Sequence, residues 1–262
     1  MLPEIAPLAG TSTSPGAADG VLAVLRGDRL AVMLFGSHAR GDAHADSDID
    51  ILQLVERWRP SYAIGRLSIS VYTYDHLLAL SRAGSLFVLH LAAEGRSLED
   101  HSQRLRRVLE AYRAPASYTR ARTNLRRASS VLAVDRVGFQ RNPTGFLRVA
   151  FYLLRTALYV RCVELGPPVF AMRQVALRLR RPEITEIFER RGRTTFDAFE
   201  EVRSLVYREV GADGINEFGS LEALSVGLHV ACPIASRLAL RLLAGSERVE
   251  YDSTLFDWSH DE

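Results

Sequence analysis

The sequence predicts an α+β chain in two parts, a strand-rich N-terminal domain followed by an all-α helical-bundle domain. Three observations predict it. Strand-like apolar runs fall within the first 75 residues, helical periodicity takes over afterwards, and the charge balance turns strongly basic beyond residue 101. With 262 residues, 47% of them hydrophobic and 24% charged, the chain can bury a sizeable core in one large domain or two small ones.

The elements follow in order. Residues 1–20, "MLPEIAPLAGTSTSPGAADG", read as a Ser/Gly/Pro-rich tail without a basic start or a sustained apolar run. "DGVLAVLRGD" reads as a short helix, "RLAVMLFG" as a buried strand, and "DIDILQLV" as a second strand carrying alternating carboxylates. "RLSISVYTY" alternates cleanly and reads as a third strand. From about residue 75 the pattern is helical: "DHLLALSRA", "SLFVLHLAAEG", "HSQRLRRVLEAYR", "YTRARTNLRRASSVLAV", "GFLRVAFYLLRTALYVRCVELG", "TTFDAFEEVRSLVYREVG" and "SLEALSVGLHVACPIASRLALRLL". The expected boundaries are a tail at 1–20, a first domain at 21–101, a helical domain at 102–248 and an acidic-aromatic tail at 249–262. No run reaches the roughly 18 apolar residues needed to span a bilayer, so the expectation is a soluble, cytoplasmic protein without membrane contact. Cys162 and Cys232 have no ligand-like spacing and are expected to be small buried hydrophobes.

No lysine occurs; all 33 Lys-plus-Arg positions are arginine. A phosphate-binding P-loop, Schiff-base chemistry and protein-kinase phosphate anchoring each need a lysine, so those classes are excluded together. The near-neutral total of +2 hides an uneven distribution: residues 102–161 hold 13 Arg against 2 acids. Tyr112, Tyr118 and Phe139 are interleaved with these arginines. Such a face suits a phosphate-rich partner, RNA in particular, while pairing with the acids of the last hundred residues is the competing use of the same charge.

The chemistry concentrates in "LFGSHARGDAHADSDIDILQL", where Asp46, Asp48 and Asp50 crowd into five positions. Like charges this close raise one another's pKa and weaken a fold unless something positive compensates. Gly36-Ser37 forms a tight turn between a strand and a short helix whose first N–H groups are unpaired. On a strand, Asp48 and Asp50 fall on one face, roughly 6 to 7 Å apart, with Ile49 and Ile51 turned to the core. Two such carboxylates facing a phosphate-binding turn suit a pair of divalent cations.

These residues resemble the nucleotidyltransferase fold shared by DNA polymerase beta, minimal nucleotidyltransferases and kanamycin nucleotidyltransferase. Gly36, Ser37, Arg40, Gly41, Ser47, Asp48 and Asp50 match its Gly-Ser turn and D-x-D pair, and the resemblance covers about residues 20–101. It implies a small mixed-sheet nucleotidyltransferase domain. It also implies that Asp48 and Asp50 are catalytic and bind magnesium (Mg2+) or manganese (Mn2+), and that Gly36, Ser37, Arg40 and Ser47 bind a nucleoside triphosphate. An acceptor hydroxyl then attacks the α-phosphorus and pyrophosphate leaves. The acceptor is an RNA end, a protein side chain or a small molecule, with the basic segment 102–161 favouring RNA; a homo-oligomer is compatible with the sequence.

The pattern departs from the family at one point. The family carries a third carboxylate on the following strand, and the matching position is Ser70, or Ser68 with a register shift of two. Asp75 or Glu94 arriving from elsewhere would complete the site. Otherwise the chain has a two-carboxylate site, or is a catalytically impaired binding or regulatory module. His90 is expected to be a core or supporting histidine, while His38 and His44 flank the site.

Overall fold

The computed structural model describes residues 15–43 and 47–246. They form two compact units that divide between Pro115 and Ala116 rather than at residue 101. The acidic-aromatic tail and residues 1–14 lie outside the described residues.

The first unit runs α1 (Pro15–Val24), β1 (Ala31–Phe35), α2 (Gly36–Arg40), β2 (Ile49–Val55), β3 (Tyr62–Ile64), β4 (Leu67–Thr73), α3 (Tyr74–Arg82), α4 (Leu86–Glu94), β5 (Arg96–Glu99) and α5 (Arg104–Glu110). The mixed sheet has the order β3-β4-β2-β1-β5. Only the β2–β4 ladder is parallel; the other three pairs are antiparallel. The two central strands are the most apolar, with all of Ala31–Phe35 and Ile51–Val55 buried, as a strand covered on both faces requires. The edge strands β3 and β5 were not legible in the sequence. Three and four residues long, they are too short for a period-two pattern to register.

One sheet face packs Val32, Leu34, Ile51, Val55, Ile69 and Val71 with Leu25 and Ala39. On the other, Phe35 meets Phe87 edge-on at 5.7 Å and Tyr72 stacks on Phe87 at 5.1 Å. Gln53 is fully buried in the central strand, yet its amide donates to the Arg26 carbonyl (2.9 Å) and accepts from the Tyr62 hydroxyl (2.8 Å). A buried polar group with both ends satisfied costs little. Helix α5, assigned from sequence to the helical domain, packs on α3 and α4, where the Ser81 hydroxyl donates to the Val108 carbonyl at 2.5 Å.

The second unit is all helical: α6 (Thr119–Ser129), a 3-10 turn (Ser130–Leu132), α7 (Arg136–Gln140), α8 (Pro143–Glu164), α9 (Met172–Leu179), α10 (Glu183–Glu189), α11 (Phe196–Val210), α12 (Leu221–Gly227) and α13 (Pro233–Leu243). Helix α8 is its spine. Asn142 caps it by accepting from the Gly145 N–H, Pro143 opens it, and 14 of its 22 residues are buried. Phe139, Phe146, Phe196 and Phe199 cluster around its first turn. The single long helix expected over "SLEALSVGLHVACPIASRLALRLL" is two helices, because Pro233 has no N–H to continue a ladder and instead starts α13. Cys162 and Cys232 are buried free thiols. Among the described residues no single helix is long and apolar enough to cross a membrane.

The basic segment is less open than its composition suggests. Arg122, Arg136 and Arg161 pair with Glu164, Asp197 and Glu209, and Arg127 donates to the Ala231 carbonyl. Tyr118 and Phe139 are buried, at 7% and 3% exposure. They are core residues, not stacking platforms; the helical period turns the apolar positions of α6 inward and Arg120, Arg122, Arg126 and Arg127 outward.

Candidate active site

The site begins where β1 stops. Phe35 is extended, Gly36 enters the left-handed region at φ 72°, and α2 starts at once. Gly41, at φ 82°, closes this short helix, with its N–H and that of Asp42 both donating to the Ser37 carbonyl. Left-handed backbone favours glycine at both positions. At Gly36 a second constraint applies, because a Cβ there would lie 2.6 Å from Asp50 Oδ2.

That approach follows from strand pairing. Phe35, the last residue of β1, is the ladder partner of Asp50, so the second residue of β2 lies beside the turn. Asp48 is exposed and precedes the strand by one residue, a correction to the expectation that both carboxylates lie within it. The backbone around it is nevertheless pinned: the Ile49 N–H donates to the Arg66 carbonyl (2.8 Å), Arg66 Nη2 donates to the Ser47 carbonyl (2.5 Å), and His38 Nε2 lies 3.3 Å from that same oxygen. Ser47 is buried at 8% exposure. His44 and Asp46 lie outside the described residues.

The register across the parallel ladder resolves the third position. Asp50 pairs with Ser68 and Leu52 with Ser70, so the residue opposite Asp50 is the serine two positions before the one first aligned. Asp75 is at the wrong end. It follows Thr73, which pairs with Val55, and five residues of strand at roughly 3.3 Å each separate that end from Asp50. Glu94 is engaged elsewhere: its Oε2 accepts from Arg40 Nη1 at 2.6 Å and faces His90 Nε2 at 3.0 Å. Burial pushes the Glu94 carboxyl up, but His90 and then Arg40 outweigh it and hold it below the usual carboxylate range. Arg40 also donates from Nε to Asp42 at 3.2 Å. Among the described residues no three of His, Cys, Asp and Glu gather as a metal-binding set.

The structure thus brings Gly36, Ser47, Asp48 and Asp50 to one end of the sheet, with Ser37 and Arg40 on the helix that leaves the turn. Three contributors were not anticipated: Arg66, the His38 contact to the Ser47 carbonyl, and the role of Glu94 as an arginine partner. None of the three had a readable signal; the four-residue spacing of His90 and Glu94 on one helix points only to their own pairing.

No curated protein matches the sequence. Residues 22–105, a span that contains every residue of this site, match the family model described as a nucleotidyltransferase domain.

Proposed function

We propose that the chain transfers a nucleoside monophosphate from a nucleoside triphosphate to an acceptor hydroxyl, releasing pyrophosphate. The observation that carries this reading is the seating of the Asp50 carboxylate against the Gly36 turn, with Asp48 two residues before it.

The donor set fits one Mg2+ or Mn2+ ion. Hard cations of this kind take oxygen ligands and are commonly held by one or two carboxylates, substrate phosphates filling further positions. With no side chain at residue 36, the Asp50 carboxylate can close on the turn, where a Cβ would lie 2.6 Å from its Oδ2. Asp48 and Asp50 would hold the ion, and when bound it neutralises charge on the phosphate oxygens. The remaining residues act on the nucleotide directly: the Gly36-Ser37 turn and Ser47 receive the phosphates, and Arg40 supplies a fixed cation. Their contribution is positioning, which brings the acceptor oxygen in line with the α-phosphorus. The new oxygen–phosphorus bond forms as the bond to the pyrophosphate oxygen breaks, and the hydroxyl proton passes to water.

The acceptor we favour is an RNA end, on the charge of residues 102–161 and the four arginines that α6 turns outward. The test is incubation with each labelled triphosphate, Mg2+ and total cellular RNA and protein. Label on RNA that is lost in the Asp48→Ala, Asp50→Ala double mutant is the expected result; label on protein would move the acceptor, and no label on either would reject both macromolecular acceptors. One observation favours a second reading, a nucleotide-binding regulatory module: a serine stands where a third carboxylate would be. Metal-dependent nucleotide binding without transfer would select it.

A further inference from the structure

We propose that Glu94 is a positioning residue of the nucleotide site: anchored by His90, it locks the Arg40 guanidinium so that its Nη2 edge is left for a triphosphate oxygen. This rests on the nucleotidyltransferase reading above.

Arg40 has five N–H donors in a rigid plane. Nε is directed to Asp42 and Nη1 to Glu94, while Nη2 bonds nothing among the described residues. The side chains of Arg40, Glu94 and His90 are 19%, 11% and 5% exposed, so the cluster is largely desolvated and its charge-assisted bonds are strong. An arginine on a five-residue helix has little else to hold it: without Glu94 its side chain would sample many rotamers and pay ordering entropy on binding.

The support for Glu94 reaches back to the catalytic strand. Its Oε2 accepts from Arg40 and faces His90 one helical turn earlier on α4. The His90 ring stands edge-on to Phe35 at 5.9 Å and 90°, and Phe35 both precedes Gly36 and pairs with Asp50. Gly95 sets the height of this helix end, since a Cβ there would meet Met33 Sδ at 2.4 Å. Helix α4 can therefore end against β1 and carry its last residue to Arg40. One packed chain, from Phe35 through His90 and Glu94 to Arg40, ties the cation to the strand end that bears Asp50.

A double-mutant cycle tests it. Wild type, Arg40→Ala, Glu94→Ala and the double mutant are titrated with a fluorescent triphosphate analogue and with the corresponding monophosphate, in Mg2+ and in EDTA, and their melting temperatures are recorded. Glu94→Gln, which keeps the shape and loses the charge, guards against a folding defect. The expected result is a loss of triphosphate affinity of about tenfold in each single mutant, the size of one hydrogen bond to a charged group. The double mutant should lose no more than Arg40→Ala does, because Glu94 acts through Arg40. Monophosphate affinity should hold. Additive losses, or weaker Mn2+ binding in Glu94→Ala, would overturn positioning in favour of a direct metal ligand. Unchanged triphosphate affinity in a folded Glu94→Ala would overturn it outright, whereas a wild type that binds no triphosphate would remove the underlying reading as well.

Discussion

Asp50 stands directly across the parallel β2–β4 ladder from Ser68. Adjacent strands are about 4.8 Å apart, and side chains at paired positions share a face, so an acid at 68 would lie beside the Asp50 carboxylate. A hydroxyl in its place offers a weaker, uncharged ligand. Under the proposed function, the site so built would hold one cation through two aspartates.

Ser68→Asp is therefore expected to tighten Mn2+ binding in the presence of triphosphate by tenfold or more, and to lower stability when metal is removed, since two adjacent carboxylates then repel. Calorimetric titration and thermal melting in EDTA read the two effects. A variant with unchanged metal affinity would place residue 68 outside the ion's reach.

The two left-handed glycines of the turn make a controlled pair. Gly36 and Gly41 both have positive φ, but a Cβ at 36 meets Asp50 Oδ2 at 2.6 Å whereas one at 41 meets nothing within 4 Å. Alanine at either position costs about 1 to 2 kcal/mol of backbone strain. Only Gly36→Ala must also displace Asp50, so it alone should abolish metal-dependent nucleotide binding while both lower the urea midpoint. Equal binding by the two variants would contradict the seating of Asp50 against the turn.

Much of this was legible in residues 34–54. The turn glycine, the D-x-D pair and the apolar strand around it each follow from local rules, and the structure keeps them at one sheet end. The register was not legible, because a shift of two preserves the facing of every side chain on β4 and so leaves hydrophobic alternation unable to choose between Ser68 and Ser70. Nor was the partner of Arg40: an ion pair spanning 54 residues depends on where α4 ends, which Gly95 and Met33 decide by contact. The aromatic residues of the basic segment misled for a related reason. Composition cannot say which face a Tyr or Phe takes, and Tyr118 and Phe139 went to the core.

The Glu94 carboxyl gives the stability a definite pH dependence. Its folded pKa lies below the ordinary 4.5. A depressed acid contributes stability that is fully present above the unfolded pKa and is lost as pH falls through the folded one. Urea midpoints of the intact chain should therefore drop as pH falls below about 4.5, and Glu94→Gln should flatten that part of the profile while lowering stability at neutral pH, where the Arg40 pair is lost. A Gln variant with the wild-type acid limb would show that other carboxylates govern it.

The last prediction concerns the outward face of α6. Arg122 is committed to Glu164 at 2.7 and 2.9 Å, and Arg127 to the Ala231 carbonyl at 2.8 Å, whereas Arg126 makes no ion pair among the described residues. All three side chains are exposed, so the existing contacts are worth little and can be exchanged for phosphate. If single-stranded RNA tracks this face, log affinity falls with log salt at roughly 0.7 per phosphate contacted. Arg126→Ala should remove close to one such unit. Arg122→Ala should remove less, because its loss frees Glu164 and its binding already required breaking a pair. A folded Tyr118→Leu variant, which removes the ring, should leave the slope and the affinity unchanged, since a ring 7% exposed cannot stack on a base. Filter binding across a salt series measures all three. Slopes unaffected by either arginine substitution would mean that RNA does not use α6, and that its arginines serve the internal pairing with the acidic last third of the chain.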